Sequence, residues 1–450
     1  MDPQRVNNLF NLGLFNIKLG LDNIRDLLNR LGNPHQHPRI IHLAGTNGKG
    51  STLVALEKLL VDSGYSTGST ISPHLIKFNE RFRINGKTID DSVLEFAYLS
   101  VCEACNVHPD LSENALKSAV VRPTFFEFSI AMAFVLFREY AVDYILLETG
   151  LGGRLDATNV VENPIVNILT RIALDHQTVL GDTVELIAAE KLGIIKPGAL
   201  VFSALQEKTV IDLIRGTCAE KRNTLFYCPE YFSFSDSTFE QFAVFNLSKL
   251  ARERKLTEYD SPISIPSSGL IGEHQKENLL TALASYICIA PEEKRLSIDE
   301  IIQSLADLRW EGRLQYMSGQ RHILLDVAHN VSGAKTLANY LNTKHSKEKI
   351  LFAVGWTQHH ELVSAFKELP IDKAIFLPVH MANERSVSGS EVYNSLKDNE
   401  LPTHPPMTIE ILVNNCRTDK LPSHDLLVVA GSLYLVGEFL AEWEGIAVQR

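Results

Sequence analysis

The sequence predicts an α/β protein with a mostly parallel sheet in its first part and a smaller, Rossmann-like α/β domain at its C-terminal end. Two observations predict this fold. Short, apolar, β-rich segments alternate with helical patterns through the first half of the chain. A second alternation of strands and helices begins near residue 310. We therefore expect one domain at residues 1–309 and a second at residues 310–450.

The first strand candidate is "RIIHLAG" at residues 39–45, and it leads into a glycine-rich loop and an amphipathic helix at 51–64. Two more buried strands are predicted within residues 142–150 and 164–176. Ligands of such sheets bind beyond the carboxyl ends of the strands. The glycine loop, Glu148 and the pair Asp175–His176 stand at those ends, so they are predicted to share one site.

Later segments complete the predicted architecture. Residues 72–86 resemble a loop with a polar face, and residues 226–270 are aromatic and turn-rich, which favours an antiparallel appendage on the first domain. The second domain is predicted to contain five strands, with helices between most of them. Their sequences are "HILLDVAHN", "KILFAVG", "KAIFLPV", "TIEILV" and "DLLVVAGS".

Composition restricts the class of protein. The formal net charge of −11 argues against broad nucleic-acid binding. The sequence contains no run of about 18 apolar residues and no signal-peptide pattern, so we expect a cytoplasmic protein without a membrane partner. The 6 cysteines are too few for a disulfide framework, and the pair "CEAC" is interpreted as ordinary helix cysteines.

The loop "AGTNGKGST" at residues 44–52 departs from the usual spacing G-x-x-x-x-G-K-[ST]. Leu43 replaces the first glycine of that pattern, and the hydroxyl arrives one place late, at Ser51. A strand before the loop and a helix after it still suit a phosphate cradle, because backbone N–H groups and the helix N-terminus converge on an anion. Lys49 supplies a charge for the phosphates, and Ser51 or Thr52 can reach a magnesium ion.

Glu148 and His176 are weaker signals by themselves. A nucleotide-binding sheet often presents a magnesium carboxylate at a strand end. A glutamate there is nevertheless more often a surface residue, and most histidines have no catalytic role.

Eight sequence blocks occur in an order that resembles the folylpolyglutamate synthase and dihydrofolate synthase family, whose relatives are the Mur ligases. They are "AGTNGKGST", "SPHLIKFNERFRING", "ETGLGGRLDATN", "ALDHQTVLGDT", "AAEKLGIIKPG", "GEHQKEN", "GRLQ" and "LDVAHN". The loop is similar to the Mur-type variant G-T-x-G-K-[GT]-[ST]. The resemblance implies a Mur-ligase-like P-loop domain, which binds the nucleotide, followed by the C-terminal α/β domain.

The resemblance also implies the reaction. The expected enzyme is an ATP-dependent ligase that adds L-glutamate to the γ-carboxyl group of tetrahydrofolate through an acyl phosphate. Dihydropteroate is a second candidate acceptor. Two Mg²⁺ ions are expected, and a monomer is expected from related two-domain ligases.

By the same resemblance, most of the predicted site binds ATP and metal. The residues expected to bind ATP are Thr46, Asn47, Gly48, Lys49, Gly50, Ser51, Asn278, Arg313 and Asp326. The expected metal ligands are Ser72 and Glu148 for one ion and His176 for another. Lys191 matches a lysine that is carbamylated in this family, and His329 is expected to face the phosphates or the incoming glutamate. The expected catalytic group is Lys49, Lys191, His176 and His329.

The folate side is expected at two blocks. They contribute Thr124, Phe125, Phe126 and Glu127, and Arg154, Leu155 and Asp156. The phenylalanines suit stacking on a pterin ring, but a place in the core remains an equal alternative. Lys18 replaces an acidic residue that members making dihydrofolate often carry, which favours tetrahydrofolate as the acceptor.

Two other functions remain open from the sequence. One is a Mur-type amino-acid ligase acting on a cell-wall precursor. Such enzymes usually carry an N-terminal domain for the nucleotide sugar, and with the loop at residue 45 we expect none here. The other is a nucleotide-binding switch without ligase activity.

Overall fold

The structure is a computed structural model of the 450-residue chain. It describes residues 3–10, 12, 20–111, 119–231, 242–245, 249–250, 263–266, 270–317, 320–357, 362–369, 374–383 and 386–449. Lys18 lies outside these residues. Within them, no helix is long and apolar enough to cross a membrane.

An eight-stranded sheet forms the centre of the first part of the chain. Its strands are β1 (Ile40–Ala44), β2 (Thr67–Thr70), β3 (Phe82–Ile84), β4 (Lys87–Thr88), β5 (Tyr144–Glu148), β6 (Val166–Leu169), β7 (Leu200–Ser203) and β8 (Leu225–Tyr227). The order is β4-β3-β2-β5-β1-β6-β7-β8, and only the pairs β2–β3 and β3–β4 are antiparallel. The predicted mostly parallel sheet is therefore confirmed.

Helices cover both faces of this sheet. They are α1 (Pro3–Phe10), α2 (Asp22–Arg30), α3 (Lys49–Asp62), α4 (Asp91–Cys105), α5 (Phe125–Glu139), α6 (Gln177–Leu180), α7 (Val184–Leu192), α8 (Lys208–Glu220), α9 (Cys228–Tyr231), α10 (Glu273–Ile289) and α11 (Ile298–Ala306). Helices α3, α10 and α11 share one apolar core, and α2, α4 and α5 share another. This double cover explains why every residue of β1 and β5 is buried.

A second sheet of six strands follows. Its strands are β11 (Gln315–Met317), β12 (Gln320–Asp326), β13 (Ile350–Val354), β14 (Ala374–His380), β15 (Met407–Thr408) and β16 (Leu426–Ala430), in the order β11-β12-β16-β13-β14-β15. Its helices are α12 (Val331–Lys344), α13 (Leu362–Lys367), α14 (Gly389–Asp398), α15 (Ile409–Arg417) and α16 (Leu433–Glu444). The domain division at residues 309 and 310 stays a prediction.

The strand predicted at "TIEILV" (408–413) is wrong, because only Thr408 belongs to a strand and the rest begins α15. Thr408 is the N-cap of the helix, and its hydroxyl accepts a hydrogen bond from the Ile411 amide. Ile409, Leu412, Val413 and Cys416 then face one apolar core. Their spacing of three and four residues is helical, and the short apolar run concealed it.

The appendage predicted at residues 226–270 is antiparallel only in part, because residues 226–227 belong to β8, which is parallel to β7, and residues 228–231 form α9. Strands β9 (Phe242–Phe245) and β10 (Ile263–Pro266) pair in antiparallel register. Ile263 joins the core beneath α3 and α10.

The two parts of the chain meet through the segment that follows β2. A Cβ atom at Gly437 in α16 would lie 2.0 Å from the Leu75 carbonyl oxygen, so the helix backbone packs directly on that segment. Beyond α16, the Gln449 amide donates to Ile76 O at 2.9 Å, and its Oε1 accepts from Phe78 N at 2.9 Å.

A buried ion pair joins α3 to the same segment. Residues 72–86 were predicted to be a loop, but residues 82–84 form β3, which carries Arg83. The Arg83 Nε atom lies 2.9 Å from Oε2 of Glu57, a residue with no exposed surface. Glu57 Oε1 also accepts a hydrogen bond from Ser69 Oγ at 2.7 Å. The carboxylate is thus stable in the core only while Arg83 is present.

We predict that Arg83→Met lowers the free energy of unfolding by about 3–5 kcal/mol, because it leaves Glu57 buried and uncompensated. Urea unfolding followed by circular dichroism measures the change. The control is Lys58→Ala, which removes the more exposed Lys58–Asp62 pair on α3 and is expected to cost about 0.5 kcal/mol or less. Equal losses for both variants would contradict the prediction.

Candidate active site

The glycine loop connects the end of β1 to the first turn of α3, which begins at Lys49. The amides of Thr46 and Asn47 both donate to Arg171 O, and Thr46 Oγ1 exchanges hydrogen bonds with the backbone of Ala173. These contacts tie the loop to the segment that follows β6. The positive end of α3 therefore faces the edge of the sheet where the strands end.

Both the backbone conformation and a neighbouring side chain require glycine at position 48. Its φ of 93° lies in the left-handed region, and a Cβ atom there would stand 2.3 Å from Asn278 Oδ1. Asn278 is buried in α10 and donates to Gln275 Oε1 at 2.9 Å. The predicted ATP residues Gly48 and Asn278 are thus in direct contact across two elements.

Glu148 lies at the end of β5 beside the loop. Its Oε2 accepts a hydrogen bond from the Ser72 amide at 3.0 Å, and its Oε1 is 3.9 Å from Lys49 Nζ. Burial raises the pKa of this carboxyl, against the opposing effect of the Lys49 charge. Lys49 Nζ also contacts the carbonyl oxygens of Gly45 and Thr46.

The chemistry of Ser72 and Glu148 suits a hard cation. Both supply oxygen, and the buried Ser72 Oγ has no hydrogen-bond partner among the described residues. In the described part of the chain, no three His, Cys, Asp or Glu side chains are grouped so that they alone could hold a metal ion. Any ion at this edge would therefore need further ligands from a bound nucleotide or from water.

Asp175 connects the two parts of the chain at this edge. Its Oδ1 is 3.9 Å from His176 Nε2, and its Oδ2 is 4.0 Å from His329 Nε2 and 3.3 Å from Asn330 Nδ2. Asn330 also exchanges long hydrogen bonds with Asn47 of the loop. Burial would raise the pKa of the Asp175 carboxyl, but the charges of the two histidines, with two nearby lysines, hold it below its usual value.

Lys191 points from α7 to the same loop. Its Nζ donates to the Gly45 carbonyl oxygen at 2.9 Å, and only 5% of the residue is exposed. Burial, with the neighbouring charge of Lys49, lowers the pKa of the Lys191 amine to about 7. Near pH 7, the Lys191 amine is therefore neutral in a large fraction of the molecules.

The second part of the chain contributes Arg313 and Asp326. Asp326 ends β12, and its two oxygens accept hydrogen bonds from the amides of Leu314 and Ala328. Burial raises the pKa of the Asp326 carboxyl, and the charge of Arg313 opposes that rise. Arg313 also acts electrostatically on Glu148, so it belongs to the same site.

The four residues predicted around the pterin lie at the start of α5, and their contact with folate stays a prediction. Thr124 caps α5, and Glu127 closes the capping box by accepting from the Thr124 amide at 2.7 Å. The buried ring of Phe125 stacks on Phe10, with centroids 4.9 Å apart. Phe126 lies over Gly150, where a Cβ atom would approach the ring to 2.5 Å. Phe125 therefore takes the core position that the sequence left as an alternative.

The second predicted folate block, residues 154–156, lies in the segment after Glu148. Arg154 forms an ion pair with Glu190 of α7, at 2.8 Å between Nη2 and Oε1. Leu155 is half-buried beside it. Both oxygens of the buried Asp156 carboxylate accept hydrogen bonds, from Gly150, Leu151 and Thr158. The segment thus packs between α7 and the phenylalanines of α5.

Sequence reasoning gave no role to two residues that organise the site. Asp175 was predicted to share the site as part of the pair Asp175–His176, and it lies within 4.0 Å of groups from both parts of the chain. Asn330 caps α12, with its Oδ1 accepting from Gly333 N at 2.8 Å, while its amide reaches Asp175. Its N-cap role follows from its place before an apolar helix.

The fold and this edge define a class of protein: an ATP-dependent ligase with a P-loop α/β fold of the Mur-ligase type. Residues 312–442 match the family model described as "Dihydrofolate synthetase, C-terminal domain". The chain is 30% identical to the dihydrofolate synthase/folylpolyglutamate synthase of Bacillus subtilis over 434 residues, which cover 94% of this chain and 95% of that protein. The chain belongs to the folylpolyglutamate synthase/dihydrofolate synthase family.

Solved structures agree with this fold. E. coli FolC in complex with DHPP and ADP superposes with a TM-score of 0.80 at 24% identity, over 98% of this chain and 97% of that one. The bifunctional folylpolyglutamate synthase/dihydrofolate synthase of Yersinia pestis, complexed with AMPPNP and Mn ion, has a TM-score of 0.78 at 26% identity. That match covers 97% of this chain and 96% of that one.

We predict that Gly48→Ala raises the KM for ATP at least tenfold, because a Cβ atom at φ 93° would be strained and would displace Asn278. Steady-state ADP release at varied ATP measures the effect. Gly64→Ala is the matched control, since Gly64 has a φ of 78° and no atom within 4 Å of its Cβ position. An unchanged KM for ATP in Gly48→Ala would contradict the role of this contact.

Proposed function

We propose that this chain uses ATP to join L-glutamate to the γ-carboxyl group of a reduced folate, with tetrahydrofolate as the preferred acceptor. One observation carries the proposal. The glycine loop, Glu148, Asp175 and His329 meet at one edge, although His329 comes from the second part of the chain. Phosphate-binding, acidic and imidazole groups are the types that a carboxylate-activating ligase needs.

The reaction has two steps. An oxygen of the acceptor carboxylate attacks the γ-phosphorus, the bond to the bridging oxygen of ADP breaks, and an acyl phosphate forms. The amine of glutamate then attacks the acyl carbon, phosphate leaves, and the amine loses a proton. Lys49, with the N-terminus of α3, holds the phosphates, while Arg313 adds positive charge from the other part of the chain.

The proton of the attacking amine needs an acceptor. His329 Nδ1 lies 2.9 Å from Val327 O, and because a carbonyl can only accept, Nδ1 carries the proton. Its Nε2 lies 4.0 Å from Asp175 Oδ2, and in the neutral imidazole this nitrogen holds the lone pair that could accept a proton. Desolvation lowers the pKa of His176 and the charge of Asp175 opposes this effect, although 43% of the His176 side chain is exposed. We assign proton transfer to His329 and metal binding to His176.

Ser72 and Glu148 would hold one Mg²⁺, and His176 a second. The bound ions would neutralise the phosphate oxygens. The Mn ion in the Yersinia pestis protein supports the use of a divalent cation. The number of two ions and the ligand roles are our proposal.

We propose that CO₂ adds to the neutral Lys191 amine, forming a carbamate with release of a proton. The lowered pKa of about 7 supports this, because only the uncharged amine reacts with CO₂. Wild-type protein in ¹³C-bicarbonate at pH 8 is expected to show a carbamate resonance by NMR. Both that signal and the ligase activity should weaken as the pH falls to 6, when Lys191 becomes protonated.

Lys191→Arg should abolish the carbamate resonance, whereas Lys58→Arg, on the exposed side of α3, should keep it. A fully active protein without the resonance in bicarbonate would refute the modification.

The acceptor is tested by ADP release with Mg²⁺ and L-glutamate, comparing tetrahydrofolate with dihydropteroate. We expect turnover with tetrahydrofolate. Turnover with both would make the enzyme bifunctional, which the name of the Bacillus subtilis relative favours. ATP binding without ADP release on either acceptor would refute the folate assignment and revive the nucleotide-binding switch or a Mur-type substrate.

We further propose that the chain acts as a monomer in the cytoplasm, with a domain boundary at residues 309 and 310. Closure of the second part over ATP would complete the site, because His329, Arg313 and Asp326 all lie beyond that boundary.

A further inference from the structure

A buried histidine in the middle of β1 has no role in the reaction described above. His42 has no exposed surface, and its Nε2 lies 2.8 Å from Thr158 Oγ1. Thr158 Oγ1 is 2.5 Å from Asp156 Oδ1. His42, Thr158 and Asp156 thus form a hydrogen-bonded chain from the centre of the sheet to the segment after Glu148.

The direction of these hydrogen bonds follows from counting protons. A hydroxyl has one proton, and Thr158 donates it to the Asp156 carboxylate, which accepts. Thr158 Oγ1 must then accept from His42, so the proton of the neutral imidazole is on Nε2. The other tautomer would place an N–H at Nδ1, which is buried and has no partner among the described residues, and such orphaned donors are rare.

Asp156 connects the His42–Thr158 hydrogen bond to the backbone of the segment after Glu148. Its Oδ2 accepts from the amides of Gly150 and Leu151 at 2.9 and 2.8 Å. Gly150 lies beneath the Phe126 ring. A Cβ atom at Gly153 would be 2.8 Å from the Lys191 carbonyl oxygen, so the segment also touches the helix that carries Lys191.

We infer that His42 is a positioning residue: through Thr158 and Asp156 it sets the place of the acceptor-side segment, residues 149–156, relative to the phosphate loop. Strand β1 carries both His42 and the phosphate loop, because β1 ends at Ala44 and the loop follows at once. A carboxylate that must attack the γ-phosphorus needs its distance from the phosphates fixed within a fraction of an ångström. This inference rests on the proposed function only for its kinetic part.

The kinetic test compares two amide replacements. A glutamine amide nitrogen at position 42 occupies roughly the place of His Nε2 and can donate to Thr158, whereas an asparagine side chain is too short. We expect His42→Asn to raise the KM for tetrahydrofolate about tenfold, the size typical of an unsatisfied buried acceptor. The KM for ATP should change less than threefold, and His42→Gln should restore most of the loss.

Thr158→Val provides the second control. With the hydroxyl gone, the advantage of glutamine over asparagine at position 42 should disappear. Equal kinetics for His42→Gln and His42→Asn in the wild-type background, or an equal rise in both KM values, would overturn the inference.

A measurement without substrate separates this inference from the proposed function and covers variants that fail to fold. ¹⁵N NMR of histidine-labelled wild-type protein should show, for His42, a neutral imidazole with its proton on Nε2 that does not titrate between pH 5 and 8. Its assignment to His42 follows from its loss in His42→Gln. A proton on Nδ1, or titration in this range, would overturn the inference even in an active enzyme.

Discussion

Strand β1 lies between β5 and β6, with all three strands parallel, and this register sets the glycine loop beside Glu148 and the segment after β6. Leu43 is level with Glu148 on β5, and Ala44 is level with Leu169 on β6. The glycine loop therefore emerges between a carboxylate on one side and the segment leading to Asp175 on the other. A one-residue slip would turn the side chain of Glu148 to the opposite face of the sheet.

An acidic protein with a net charge of −11 must gather positive charge where it binds phosphate. Here Lys49 and Lys191 both contact the Gly45 carbonyl oxygen, and Arg313 approaches from the second part of the chain. The crowding has a chemical consequence. Burial, and after it the charge of the neighbouring Lys49, lowers the pKa of the Lys191 amine, and the neutral amine is reactive.

The two parts of the chain meet at two kinds of contact. The hydrogen bonds at the active-site edge are long, and the backbone packing behind the site is close. At the edge, the bridge from Asn47 through Asn330 to Asp175 consists of hydrogen bonds of 3.3–3.4 Å, which are long and weak. Behind the site, Gly437 packs directly on the backbone at Leu75. Close backbone packing tolerates little displacement.

The sequence by itself determined the α/β class, the phosphate loop and the strand that ends at Glu148, because these depend on local pattern and on residues near in the chain. It failed at "TIEILV", because six residues are too few to separate the alternation of a strand from the spacing of a helix. Only the tertiary structure decided that Phe125 joins Phe10 in the core and that Asp175 faces His329. Only it gave His42 a partner 116 positions away. Such contacts join distant parts of the chain, and no local pattern in one sequence encodes which parts will meet.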